Sequence, residues 1–499
     1  LVARRKIYKI GRLYIFVAGL LLLPAVTARA QDAPAESPPP PPEAASPAAT
    51  SPPAPAPAPP PPAPATDTAA INARVDEIDQ RSRIAERKLE LATEAAAARA
   101  AEAPTVSAEE AGFGITSPDR RFQVRIHGQL QVDGRRFFGD DTQRDKDTFL
   151  IRRARPTIDV TLLGLADARF TPDFAGGTLQ LFDAYIDVHP FRWLRLRAGK
   201  FKPPVGLERL QADTDLVFTE RSLDQNLSAQ RDVGAQLWGD VAGGLVRYEA
   251  AILNGNPDFG LNDTDNEYNK SYAGRLLVNP FALERLRAFG RLGVGIAAET
   301  GYEKGSAANP WLGSFRSAGS NTIFSYLASS TDPTQTVVAF NRHTRVNPQL
   351  YYYYQGFGLE AELIHEYQEL LKGSDTAAIN NSGGHVIVAY VLGGDRTFEG
   401  PRVRHPLDLA KGSYGALEIG VRYNWLKIDD VAFLGLADPT KSVSKASGWG
   451  FVASWYLTKS LRAALSYDRT SFDGGAKKGS TVADLNTESV VTARLQVGY

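Results

Sequence analysis

The chain is predicted to be all-β, a transmembrane antiparallel β-barrel of about sixteen strands occupying residues 120–499. Three observations predict it. From residue 120 apolar and polar residues alternate with a period of two, as they do in strands whose successive side chains point to opposite faces. Short links between these segments alternate with long polar ones, the pattern of periplasmic turns and external loops. The only long apolar run lies at the extreme N-terminus, whereas a helical membrane protein needs several runs of roughly twenty apolar residues. A soluble sandwich of this size would carry near-continuous apolar central strands, and the sequence has none. Lysine plus arginine balance aspartate plus glutamate at 56 each, and cysteine is absent. Gross attraction to polyanions such as nucleic acid, disulfides and thiolate metal sites are therefore excluded.

The N-terminal fifth is an address and a spacer. Arg4, Arg5, Lys6 and Lys9 precede an uncharged apolar core from Leu13 to Val26, and Ala28-Arg29-Ala30 fits the small-x-small cleavage rule. Residues 1–30 are thus expected to be a signal peptide cut near Ala30, with the bacterial outer membrane as destination. Residues 31–69 form a Pro/Ala-rich linker, extended and without a core of its own. Over residues 70–103 the positions Ile71, Val75, Ile78, Ser82, Ala85, Leu89 and Ala92 follow steps of four and three, the seam of a coiled-coil helix. Ser82 and the alanines weaken that seam, so a solitary solvated helix competes with it. Pro104 ends the helix.

The strands follow. Phe122, Val124, Ile126, Leu130 and Val132 alternate with Gln123, Arg125, His127, Gln129 and Asp133. Phe182, Ala184, Ile186 and Val188 alternate with Asp183, Tyr185 and Asp187; Leu417, Ile419, Val421 and Tyr423 alternate with Glu418, Arg422 and Asn424. One link misfits: Gly394 to Gly412 is long where the order of turns asks for a short one, which suggests a misassigned pair of strands. Val491, Ala493, Leu495, Val497 and Tyr499 form the last apolar face, closing on an aromatic as outer-membrane barrels do. Tyr351 to Tyr354 and Trp455-Tyr456 are candidates for the interfacial girdles, because this barrel is expected to lack a dry interior.

Sorting by parity puts Arg125, Arg153, Arg155, Arg169, Arg195 and Arg197 on the inward face. Stacked guanidiniums match the oxygens of an oxyanion, and rings of Arg and Lys line anion pores. Hairpin pairing offers Arg155 to Asp173, Arg169 to Asp159 and Arg195 to Asp187; Arg125, Arg153 and Arg197 have no partner in the adjoining hairpin and are favoured as the track. Arg152 falls on the lipid face. The irregular connection over residues 203–230, with its flanks, carries Lys200, Lys202, Arg209, Arg221 and Arg231. Such a long connection is usually functional, and its composition suits a wet interior better than a dry core. No HExxH, GxSxG or Walker loop is present. An enzyme, a cofactor site and a metal site therefore have no support.

Several spaced segments resemble one family. They are RRARP at 152–156, DAYIDVHP at 183–190, GKFKPPVGLE at 199–208, ERS at 220–222, RDVGAQLWGD at 231–240 and NGN at 254–256. In this order they resemble the phosphate-selective porins O and P. The resemblance implies a homotrimer of sixteen-stranded barrels with an inward-folded third loop whose basic residues bind phosphate or polyphosphate. That role would pass here to Lys200, Lys202, Arg209, Arg221 and Arg231, while Glu208, Asp213, Asp215, Glu220, Glu360 and Glu362 dilute the charge. The expected partners are inorganic phosphate or other small anions, outer-membrane lipid and lipopolysaccharide. Two other readings compete: a general or sugar-conducting porin, and a tether to the cell wall through the N-terminal stalk.

Overall fold

The computed structural model describes residues 67–109, 112–139, 146–256, 268–282 and 291–499. The expected signal peptide and nearly all of the linker lie outside the described residues. Helix α1, Thr68–Glu102, has no buried residue. Its seam residues Ile71, Val75, Ile78 and Leu89 are exposed, and i,i+4 pairs such as Arg83–Asp79 at 2.8 Å decorate its surface.

Sixteen strands build the barrel. They are β1 (Gln123–Phe137), β2 (Thr148–Leu162), β3 (Ala166–Asp173), β4 (Gln180–Phe191), β5 (Leu194–Phe201), β6 (Asp232–Val241), β7 (Val246–Leu253) and β8 (Ser271–Val278), followed by β9 (Leu292–Lys304), β10 (Val337–Tyr354), β11 (Phe357–Lys372), β12 (Asp375–Leu392), β13 (Ala416–Lys427), β14 (Val443–Tyr456), β15 (Leu461–Lys478) and β16 (Glu488–Gly498). Each pairs antiparallel with the next, and β16 pairs with β1 from Val490↔Phe137 to Gly498↔Gln129, so the sheet closes. Closure leaves no free edge, which is what allows a sheet to sit in lipid. Along β13 the alternation reads as expected: Leu417, Ile419, Val421 and Tyr423 face out, while Glu418, Arg422 and Asn424 are buried inside. A further hairpin, Thr105–Glu109 with Gly112–Thr116, pairs with β1 at residues 123–126, beyond the end of its pairing with β16.

Four features depart from the sequence reading. The long link after β12 is no misassignment. It folds as a small hairpin, Gly394–Thr397 with Gly400–Val403, and the count of sixteen stands. The aromatic clusters are split by parity: Tyr354 and Trp455 face outward at the short-turn end, but Tyr353 and Tyr456 are buried inside, bonded to Glu360 and Glu418. The remaining two are β-bulges. Between β1 and β2 the register jumps from Gln131↔Arg153 to Val132↔Ile151, leaving Arg152 unpaired. Between β3 and β4 it jumps from Thr171↔Asp183 to Pro172↔Leu181, leaving Phe182 unpaired. A bulge re-aims the extra residue, and both side chains enter the lumen instead of facing lipid.

Candidate functional site

The connection from β5 to β6 cannot continue as strand. Pro203 and Pro204 have no N–H for a ladder, Gly206 takes φ 84°, and Leu207–Leu210 close a single helical turn. The chain turns into the barrel instead. Val205, Leu207, Leu216, Val217, Phe218, Leu223 and Leu227 are at most 3% exposed; burying each such side chain contributes roughly 1.5–3 kcal/mol. Wall side chains satisfy the loop backbone. Arg462 donates to the carbonyls of Leu216 (2.7 Å) and Val217 (2.6 Å), Arg422 to that of Glu220 (2.7 Å), Arg345 to that of Leu227 (2.8 Å), and Arg494 to that of Thr219. Glu362 accepts from the N–H groups of Leu207 (2.6 Å) and Glu208 (3.2 Å). These anchors stand on β10, β11, β13, β15 and β16. Since β13 is halfway round the ring from β5, the loop crosses the bore and lies on the far wall.

The bore is thereby divided. On the far side Leu223 and Leu227 join Phe315, Ile323 and Phe324 from the connection before β10, Ala432 and Leu436 from that before β14, and Ile364 and Leu426 of the wall in one apolar cluster. The barrel therefore has a dry half, and the third loop belongs partly to it. This corrects two expectations, that the loop sits in a wet interior and that the barrel has no dry core. On the near side a cavity of about 300 Å³ remains, lined by Arg155, Arg169, Arg197, Lys202 and Arg231 against Asp183, Asp213 and Glu249.

Arginines there lie on aromatic faces and carboxylates together. Arg155 bonds Asp173 (2.6 Å) and stacks on Phe182 at 3.8 Å. Arg231 bonds Asp183 (2.9 Å) and meets the same ring at 4.6 Å. Arg195 and Arg197 share Asp187 and lie 4.1 and 5.4 Å from the Trp238 ring. Within the loop, burial alone would raise the Asp213 carboxyl, yet Arg153, Arg221 and Arg155 hold it well below the carboxylate range. Burial, followed by the like charges of Arg231 and Arg221, pushes the Lys202 ammonium well below its ordinary value. Behind the loop, Glu208, Glu362 and His385 bring one ligand atom each within 4.8 Å of one another. Glu362 is already engaged by two loop N–H groups, Asn347 and Gln225, and His385 by Asp224. The trio acts as a loop anchor.

The family model of the phosphate-selective porins O and P matches residues 124–499. The chain belongs to that family. It is an outer-membrane porin, a channel rather than an enzyme. A search of curated proteins finds no match. Among solved structures the porin is similar to the outer-membrane channel DcaP of Acinetobacter baumannii (12% identity, 78% of this chain and 100% of that one, TM-score 0.48). It is also similar to an anion-selective porin from Comamonas acidovorans (10% identity, 76% and 100%, TM-score 0.48) and to OmpT of Vibrio cholerae (11% identity, 76% and 98%, TM-score 0.47).

The porin gathers the expected site residues unevenly. Arg155, Arg197, Lys202 and Arg231 line the cavity with Arg169. Arg125 lies nearer the short-turn end. Lys200 and Arg153 are buried at 3% exposure and do not line it. Arg209 donates to the Gln225 carbonyl (2.7 Å), and Arg221 bonds Asp213 and the Glu208 carbonyl (3.3 Å), so both brace the loop. The three hairpin pairs Arg155–Asp173, Arg169–Asp159 and Arg195–Asp187 form as expected. The three arginines expected to lack partners have them: Arg125 on Asp159 (2.9 Å), Arg197 on Asp187 (2.7 Å), and Arg153 on Gln131 (2.7 Å) and Asp213 (3.2 Å). Arg152, expected on the lipid face, bonds Glu220 at 2.6 and 2.9 Å because of the bulge. The sequence reading did not single out Arg422, Arg462 or Arg494 as site residues. All three carry the inward parity of their strands, which was the available signal.

Proposed function

We propose that the porin conducts small anions past the third loop and holds phosphate or polyphosphate weakly there, and that it works as a homotrimer. The supporting observation is the charge of the cavity, where five arginine or lysine side chains face three carboxylates. Among the described residues, neither Lys202 nor Arg209 has a carboxylate within ion-pair distance; both bond carbonyl oxygens. In a narrow passage such charges act far more strongly on an ion than they would in bulk water. A sugar-conducting reading needs bare aromatic faces, and here Arg195, Arg197 and Arg155 lie on those of Trp238 and Phe182.

Lys202→Glu is expected to lower anion selectivity, read as the reversal potential in a potassium chloride gradient, and to relieve block of chloride current by phosphate. Wild-type values in the variant would overturn the reading. The depressed Lys202 value adds a pH dependence. The ammonium is held below its folded-state pKa and lost as pH rises through it, so chloride selectivity should fall with rising pH in the wild type. Lys202→Arg should flatten that profile.

Residues 1–30 are proposed as a cleaved signal peptide, 31–69 as a spacer and α1 as a coiled coil, separate from the channel. The pairing of the hairpin beginning at Thr105 with β1 supports drawing that boundary at Pro104. Deleting residues 31–103 should leave single-channel conductance nearly unchanged, whereas a large loss in correctly inserted protein would make the stalk part of the pore.

A further inference from the structure

The hairpin Gly394–Val403 sits at the short-turn end, where links have only to reverse the chain, yet it is long and folds inward. Arg396 is fully buried and holds it there. Its guanidinium lies 3.3 Å from Glu360 and 3.3 Å from Glu418 on the wall, and donates to the carbonyl of Asp215 in the third loop at 3.0 Å. Gln211 of the same loop reaches the Phe398 carbonyl at 3.3 Å. Gly400 approaches so closely that a Cβ there would lie 3.1 Å from the Asp215 carboxylate. Gly358 leaves the space Arg396 needs, since a Cβ on it would fall 2.7 Å from Arg396 Cγ. The hairpin and the third loop therefore brace each other.

The hairpin tip continues past this brace. Glu399, Gly400 and Pro401 line a second cavity of about 230 Å³ with Thr214, Asp215, Arg125, His127, Lys459 and Tyr499. That cavity shares His127, Gly128 and Thr214 with the arginine-lined one, so it lies on the way from the constriction to the periplasmic mouth. Glu399 is exposed in it, and among the described residues no cation lies within ion-pair distance of its carboxylate. Lys459 and Arg125 line the same space.

We propose that this hairpin is an inner collar of the channel. It props the third loop from below through Arg396 and presents Glu399 to permeating ions at the periplasmic exit as a specificity-determining carboxylate. A fixed negative charge at one mouth disfavours anions entering from that side, so it makes the current asymmetric and tempers whatever selectivity the constriction sets. The inference rests on the channel and not on its preferred ion.

The test uses the full-length protein in planar bilayers at about 0.1 M salt, where the screening length is about 10 Å. Glu399→Gln should raise the anion-to-cation permeability ratio roughly two-fold, the effect of one unit charge at about that distance in water. Glu399→Lys should raise it further, and both shifts should shrink at 1 M salt, where screening is about 3 Å. The rise is expected whether the wild type favours anions or cations, so its failure is distinguishable from failure of the phosphate reading. Glu399 is exposed, so both variants should fold. Unchanged permeability ratios and unchanged current asymmetry in both would overturn the role of Glu399. Replacing residues 395–402 by a two-residue Asn-Gly turn should increase single-channel conductance and open-channel noise. Wild-type conductance and noise in inserted, heat-resistant protein of that variant would overturn the bracing role.

Discussion

Arg494→Met is expected to lower the unfolding temperature of the barrel more than any lumen-facing substitution in the cavity itself. Arg494 stands opposite Asp133 across the β16–β1 seam that closes the ring. It donates twice to that carboxylate, at 2.6 and 2.8 Å, and also to Glu220 at 3.0 Å and to the Thr219 carbonyl. Asp133 is fully buried, and Arg135 at 3.4 Å is the one other cation within ion-pair distance of it among the described residues. Removing one member of a buried, hydrogen-bonded pair costs roughly 3–5 kcal/mol, because the remaining charge is stranded. The loop would also lose its hold at Thr219, so conductance should become noisy where the barrel survives. The check is the temperature at which folded protein loses its retarded or advanced mobility on a gel, together with a denaturant midpoint. The double variant Arg494→Met with Asp133→Leu should recover part of the loss, since the stranded charge is gone. Equal stability of wild type and Arg494→Met would mean that the seam is held by its backbone ladder alone.

Gly199→Val is expected to abolish assembly. Gly199 has φ 126°, a conformation that side chains with a Cβ rarely adopt. A Cβ there would lie 2.2 Å from the carbonyl oxygen of Ala184 and 2.7 Å from the Cα of Tyr185. Both are backbone atoms of β4 and cannot swing aside. The residue sits just before the chain leaves the wall as the third loop, so displacing it moves Lys200, Lys202 and the loop entrance together. Gly164→Ala is the comparison: it also has positive φ, at 64°, but a Cβ there meets nothing within 4 Å. Its cost should be about 1–2 kcal/mol. Recovery of inserted barrel from refolding in detergent measures both, and near-wild-type yield of Gly199→Val would contradict the account.

The sequence made the barrel legible because lipid imposes one rule on every strand. The inward and outward sets of β13 could be read off directly, and so could pairs within one hairpin, such as Arg169 with Asp159, where register follows from a short turn. Arg152 escaped because a single extra residue reverses parity locally, and nothing in RRARP marks which arginine is the extra one. Arg125, Arg153 and Arg197 looked unpaired for two different reasons. Asp159 and Asp187 accept from several arginines at once, and Asp213 comes from the loop, 60 residues from Arg153 in sequence. The dry half of the bore was hidden for a related reason. Leu223 and Leu227 sit in a polar-looking segment, and their apolar partners Phe315, Ile323 and Phe324 lie in a distant connection with no strand periodicity. The long link after β12 was visible as an anomaly, but composition could not say that it folds inward.

The crossing of the bore by the third loop also dictates an order of events in folding. The loop leaves the wall at Phe201, but its anchors are Arg345, Glu362, Arg422, Arg462 and Arg494, more than 100 residues downstream. Contacts between residues so far apart form late, because the intervening chain must first be ordered. Until β13 to β16 are in place, the loop has nothing to rest against, and the half-built wall encloses no constriction. The last strand to join therefore does two things at once: Arg494 closes the ring and fastens the loop, so a barrel left open by a missing strand has no finished filter to leak through.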